Sequence, residues 1–302
     1  MKLKKNSFMQ GAFVATVGIV LCKIMGILYA IPFHSIIGEQ GGALYGYAYN
    51  IYTIFLSISQ AGIPLAVSKI ISEYYTLGYY DAKERAFKIA KRFLFIIGFI
   101  SFLILFIFAD QIGYMIMGNV EGGNTKEDVA FVIRLISTAI LIIPNLSVTR
   151  GYFQGHRFIT PTSISQILEQ LTRVLIIVIG SFLMYRVFHM SLKATVGCAV
   201  FAATIGGVVS YAYLLWKEKQ NKKEFSRQDI KVKEPKITGK EIMKKILFYA
   251  VPFVMIDLFR SLYNSVDVLT LVKTLVNDIG YTAKDAESVM SVISTWGLKI
   301  NM

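Results

Sequence analysis

The feature that most limits this chain is the length of its apolar runs. They extend for roughly 18–25 residues, the length an α-helix needs to cross a hydrocarbon core. A lone segment in lipid must satisfy its own backbone hydrogen bonds, so each run is expected to be helical. Such runs lie at about 8–33, 44–68, 91–117, 129–149, 162–187, 194–216 and 245–272, and an eighth begins near 286. The expected fold class is therefore all-α integral membrane, a multi-pass helical bundle of seven or eight spans. The eighth run stops part-way, and the sequence is expected to be a fragment of a longer protein. The first run contains Lys23 and lacks a small-residue cleavage site, so it reads as a retained helix and not as a signal peptide.

A net charge of +13 would point a soluble chain towards nucleic acid. Here the cations cluster at the ends of apolar runs, which is the orientation signal of a membrane protein, so nucleic acid is set aside as a partner. With the N-terminus inside, the inner segments carry twenty-one Lys and Arg and the outer ones five. Arg150 and Arg157 count in that tally as inner-loop charges. Eleven more lie between Lys217 and Lys245. The N-terminus and this basic stretch are thus expected on the cytoplasmic side of the cell membrane. Residues 217–243 divide a six-helix lobe, 1–216, from the start of a second lobe, 244–302. The divider reads either as a solvated linker or as a segment lying on anionic lipid. Cys22 and Cys198 sit singly in apolar runs, and His34, His156 and His189 are scattered near boundaries. Neither a disulfide framework nor a metal site is expected.

Ionisable groups inside spans are costly and tend to face a bundle interior or a wet cavity. Lys23 lies deep in the first span. Arg134 lies near the outer end of the fourth. The fifth carries Gln166, Glu169, Gln170 and Arg173, with Glu169 and Arg173 one helical turn apart in the favourable acid-first order. In the seventh, Asp257, Arg260, Asn264 and Asp267 are spaced three, four and three residues apart and form one polar stripe. Such residues can simply join helices, at about 0.6 kcal/mol per contact. They can also line a cavity. As cavity residues, Lys23, Arg134, Arg173 and Arg260 outnumber Glu169, Asp257 and Asp267, and that balance suits an anionic phosphate or pyrophosphate headgroup. Pro32, Pro64, Pro144 and Pro252 fall within or at the ends of spans, as in the broken helices of alternating-access transporters or as ordinary membrane-helix kinks.

Three stretches carry a family resemblance: Gly38 to Tyr49 (GEQGGALYGYAY), Ala61 to Lys69 (AGIPLAVSK), and Arg150 to Gly155 (RGYFQG) followed by Pro161-Thr162 and Ser165-Gln166-Ile167-Leu168-Glu169-Gln170. Together they resemble the polysaccharide-biosynthesis and stage V sporulation protein B-like group of the multidrug/oligosaccharidyl-lipid/polysaccharide (MOP) flippase superfamily, which includes Gram-positive lipid II flippases. The resemblance implies about fourteen helices of the MATE type, in two six-helix lobes and a C-terminal pair. It implies a non-enzymatic flippase for a lipid-linked saccharide pyrophosphate, working by alternating access with no cofactor and driven by an ion gradient or the membrane potential. Membrane lipid and the cell-wall synthesis machinery are the partners it suggests. Cys22-Lys23-Ile24-Met25-Gly26 matches the family's Ser-Arg-hydrophobic-hydrophobic-Gly segment with Lys in place of Arg, which keeps the charge and loses the bidentate fork. Gram-negative relatives have a further arginine and an aspartate shortly afterwards. Tyr29 and Ala30 stand nearby here, so that part of the pattern does not carry over.

Four other functions compete with lipid II flipping. A cation-coupled multidrug exporter of the same fold would favour an acidic, aromatic cavity, which Lys23 and Arg260 oppose. An exporter of another polysaccharide precursor would share every feature above. A membrane transferase would need a catalytic acid or histidine cluster at a boundary, and the histidines are single. A scaffold role would survive the loss of Lys23 or Arg260.

Overall fold

The computed structural model describes residues 5–60, 62–118, 122–226 and 232–297, and these form a helical bundle. Helix α1 (Phe8–Leu28) opens on a capping box in which Ser7 accepts from the Gln10 amide and Gln10 returns the bond. Helix α2 (Ala30–Gln60) follows after Tyr29, and α3 (Ile63–Leu77) starts with Pro64 in its first turn. Next come α4 (Tyr80–Ile107), α5 (Ala109–Met117), α6 (Lys126–Ser137) and α7 (Ile143–Gly155), the last two joined by a 3-10 turn at Thr138–Leu141. Helix α8 (Ile159–Leu175) runs on as wider π-type turns to Val187, and α9 (Leu192–Gln220) returns beside it. A single turn, α10 (Lys222–Phe225), precedes α11 (Gly239–Asn277) and α12 (Ala283–Ser291).

Among the described residues, five helical segments are long and apolar enough to cross a membrane: Met9–Leu28, Tyr80–Ile107, Lys126–Gly155, Ile159–Val187 and Leu192–Gln220. The expected second span, 44–68, is divided between α2, which ends at Gln60, and α3, which starts at Ile63, while the expected seventh lies within one long helix. Helix α2 has 31 residues and α11 has 39. Both dilute their apolar runs, α2 with the Gly38–Gln40 segment and Asn50, and α11 with its polar stripe. The expected loop at 34–43 is instead helical on both sides of Gly38. That residue has φ 66° and ψ −168°, a conformation almost confined to glycine, and it turns the chain without ending the helix. The expected eighth span is helical to Gly297, and its remaining residues lie outside those described, as do Lys2, Lys4, Ala61 and Arg227.

Helix α1 packs on α8 through Gly11, Gly18 and Gly26, which face Ile159, Ser163 and Gln170. Helices α3 and α7 come closer still. A Cβ on Gly151 would lie 2.6 Å from the Pro64 carbonyl oxygen. Helix α7 is consequently buried along nearly its whole length. Helices α11 and α12 dock mainly on α2, where Asn50 Nδ2 donates to the Asn264 carbonyl at 3.3 Å.

Part of the basic divider is packed against the preceding helices. Helix α9 continues to Gln220, and Phe225 is 3% exposed in a box of Tyr152, Phe153, His156 and Phe158. Lys83 is 1% exposed and donates to the Phe225 carbonyl at 2.7 Å. Its Nζ also meets His156 Nε2 at 3.1 Å, while His156 Nδ1 lies 2.8 Å from the Tyr152 carbonyl. One tautomer satisfies both contacts: Nδ1–H donates to Tyr152, and the bare Nε2 accepts from the ammonium. Burial and the Lys83 charge hold the His156 imidazole far below its usual range, at a pKa of about 3, so it is neutral. Further along, the Glu234 carboxylate accepts from the Asp81 and Ala82 amides and so caps α4, which has no side-chain cap of its own.

Candidate functional site

The residues marked by the sequence divide into a buried ion cluster and an outlying set. Glu169 is the centre of the cluster. Its Oε2 accepts from Arg150 Nη2 at 2.8 Å and its Oε1 from Arg173 Nη2 at 2.8 Å. Arg150 also donates from Nε to Ser165 Oγ at 2.9 Å and from Nη2 to Ser210 Oγ at 2.9 Å. Arg173 Nη1 reaches Tyr49 OH at 2.9 Å. Four helices are thus tied at one level: α7 through Arg150, α8 through Glu169 and Arg173, α9 through Ser210, and α2 through Tyr49. The three charged side chains are 10–13% exposed. Two cations and one anion leave the cluster with one net positive charge, and Arg173 Nε has no acceptor. From Tyr49 an aromatic column runs along α2, with Tyr45 stacked at 5.3 Å, Tyr52 edge-on at 5.5 Å, and Phe33 beyond Tyr45 at 5.1 Å.

This corrects the reading of Arg150. It is not an inner-loop charge but a side chain 8% exposed within α7. The inner tally falls by one and the bias towards that side survives. Tyr49, Ser165 and Ser210 are further members that the sequence did not mark. The available signal was the motif itself, since Arg150 opens RGYFQG and Ser165 and Glu169 belong to the segment that follows it.

The other marked residues stand apart from the cluster. Lys23 is exposed on α1 and lies just off that helix's glycine face. Its neighbour Cys22 is within electrostatic reach of Glu169, Arg150 and Arg173. Lys23, the next residue on α1, is exposed and is not sealed in the cluster. Gln166, one turn before Glu169, is half-buried and makes no side-chain hydrogen bond among the described residues. Arg134 is bound elsewhere, its Nη2 lying 2.5 Å from Asp110 Oδ2 on the exposed flank of α5 and α6. On α11 the stripe flanks the helix's packed face, which carries Ser265, Val268 and Val272. Asp257 and Asn264 are half-buried, Arg260 and Asp267 are exposed, and no ion pair joins these four to one another or to other described residues. Two kinds of group result. The Arg150–Glu169–Arg173 cluster is closed around two internal ion pairs and can brace helices. Lys23 and the α11 stripe keep polar groups accessible on membrane-length helices, where they can meet a charged solute. No group of three or more His, Cys, Asp or Glu among the described residues could hold a metal.

Known proteins are similar to this chain in sequence and in fold. The chain is 33% identical over 300 residues to the lipid II flippase MurJ of Bacillus subtilis, covering 98% of this chain and 55% of that protein. It is 26% identical over 216 residues to the stage V sporulation protein B of the same organism, covering 70% and 39%. The chain thus spans about half the length of the curated relatives it matches. The fold is similar to that of a multidrug-resistance MATE-family transporter of the MOP superfamily solved in an inward-facing conformation. The TM-score is 0.70 at 16% identity, covering 93% of this chain and 60% of that one. A MOP-superfamily transporter from Pyrococcus furiosus is similar at TM-score 0.62 and 14% identity, with coverage of 95% and 63%. The bundle is accordingly of the MATE/MOP type. A family model described as polysaccharide biosynthesis protein matches residues 8–280, and with that match over most of its length the chain belongs to the polysaccharide biosynthesis protein family.

Proposed function

We propose that this chain supplies the first lobe and the opening of the second lobe of a flippase for a lipid-linked saccharide pyrophosphate, with lipid II as the substrate. The observation that carries the reading is the likeness to the B. subtilis lipid II flippase along 98% of this chain. Two features support it. Lys23 is an exposed cation on α1, and the buried cluster itself bears one net positive charge. Arg260 offers a second accessible cation on α11. A pyrophosphate is attracted to such cations in a low-dielectric cavity. Residues 1–216 act as one lobe, residues 217–243 as the connection, and 244–302 as the start of the other lobe. The cation bias supports a cytoplasmic N-terminus, and in this reading an ion gradient or the membrane potential drives transport with no cofactor. The protein is a transporter and not an enzyme, and the wall-synthesis machinery is its partner.

The test uses the full-length gene in a bacterium depleted of its own lipid II flippase. Growth and surface labelling of lipid II are scored for wild type, Lys23→Ala and Arg260→Ala at matched membrane levels. Rescue by wild type, with loss in either variant, is expected. Rescue by all three would keep the substrate and remove these two residues from its path. Failure of well-expressed wild type would refute lipid II as the substrate.

A further inference from the structure

A second feature lies apart from the buried cluster, between α4 and α9. Helices α4, α7 and α9 leave between them an open groove of about 620 Å³. One wall of α4 supplies Lys88, Lys91 and Arg92, and one turn deeper Phe95 continues that wall. Leu141 and Ile142 form its apolar floor, and Tyr211 of α9 closes the far side. Lys88 and Arg92 are exposed, and Lys91 lies over the Tyr211 ring at 5.6 Å. The three cations outweigh Glu218, the acid within electrostatic reach of Lys91.

Asn145 gives the groove a specific polar contact. It lines the groove, is 8% exposed, and makes no side-chain hydrogen bond among the described residues. Its Oδ1 is sealed from solvent, so the amide Nδ2, with no acceptor among the described residues, is the polar atom it offers to the groove. A nearly buried carboxamide whose donor has no protein acceptor is unusual in a folded protein. The groove thus has cations at the rim, an amide below them and apolar surface deeper. An anionic glycerophospholipid has the same order, with phosphate, then ester carbonyls, then acyl chains.

We propose that this groove binds an ester-linked, anionic glycerophospholipid from the leaflet on the side of the α4 N-terminus. The phosphate rests on Lys88, Lys91 and Arg92, an ester carbonyl accepts from the Asn145 amide, and an acyl chain lies along Phe95, Leu141 and Ile142. The site is separate from the flipping path, and it does not depend on what the protein transports.

The experiment is native mass spectrometry of the full protein in mild detergent with added phosphatidylglycerol or phosphatidylcholine. Phosphatidylglycerol should be retained preferentially. Each surface cation contributes about fivefold to anionic-lipid binding, so Lys91→Gln with Arg92→Gln should weaken retention about 20- to 30-fold. Lys240→Gln with Lys244→Gln, two exposed cations on α11, serves as the charge-matched control and should change it less than twofold. Asn145→Leu should erase the preference for ester-linked over ether-linked phosphatidylglycerol. Equal retention of the two headgroups would overturn the proposal, as would equal losses in the groove variant and the control. Displacement of the lipid by millimolar glycerol 1-phosphate would overturn the lipid as occupant. If Asn145→Leu is not monodisperse, the groove and control variants decide alone.

Discussion

Replacing Glu169 with glutamine tests whether the buried cluster braces the lobe. The substitution keeps size and shape, removes the only negative charge, and leaves two guanidinium groups facing each other in a site about 10% exposed. Two magnitudes compete. If each bond is worth the average of polar contacts in membranes, about 0.6 kcal/mol, losing two costs about 1.2 kcal/mol. If the charges behave as a buried pair with one partner removed, the cost is about 3–5 kcal/mol. The larger value should win, because water is excluded and the net charge left behind doubles. Either arginine substitution leaves one cation paired with Glu169, a neutral pair, whereas Glu169→Gln leaves two like charges, so Glu169→Gln should cost most. Between the arginines the loss should follow the bond count: Arg150 has three partners and Arg173 two, so Arg150→Gln should cost more than Arg173→Gln. Reversible denaturant unfolding in detergent, followed by tryptophan fluorescence, measures all three. A Glu169→Gln loss below about 1.5 kcal/mol, or a larger loss for Arg173→Gln, would refute the bracing argument.

Three further outcomes are expected. The His156 pKa is depressed from 6.5 to about 3, so stability is full above pH 6.5 and falls as acid protonates the unfolded chain first; the loss by pH 5 should be about 2 kcal/mol and absent in His156→Gln, read from unfolding midpoints against pH. Phe225→Ala empties a closed aromatic box, should cost about 3–5 kcal/mol, and should speed cleavage after Lys222 and Lys223 in limited trypsin digestion. Gly38→Ala meets no atom within 4 Å, so its cost of about 1–3 kcal/mol is backbone strain alone, whereas Gly151→Ala must move Pro64; a suppressor search should therefore recover second-site changes on α3 for Gly151→Ala and none for Gly38→Ala.

Run length located the helices because the bilayer fixes it, and the expected fifth, sixth and seventh spans fall inside α8 with its π turns, α9 and α11. What hydropathy could not reveal was how helices continue past the apolar core. Helix α4 begins at Tyr80, eleven residues before the expected start, since its first turns are amphipathic and bury Lys83. Span four is likewise two helices and a 3-10 turn, because Pro144 cannot donate in the middle of a regular helix. At the site, Glu169 and Arg173 were readable as a pair because both lie on one helix. Arg150 was misread because its partners are 15, 19 and 60 residues away, and a charge count cannot distinguish a paired arginine from a loop one. The separation of Arg134 from the cluster depended on Asp110, which belongs to a different helix.

The carboxylate that caps α4 also sets a stroke length. Glu234 is held against the Asp81 and Ala82 amides, and α11 begins five residues later at Gly239. Five extended residues reach about 17 Å at most. While that grip lasts, the start of α11 is leashed to the start of α4, and displacement of one helix against the other is smallest here and widest at their far ends.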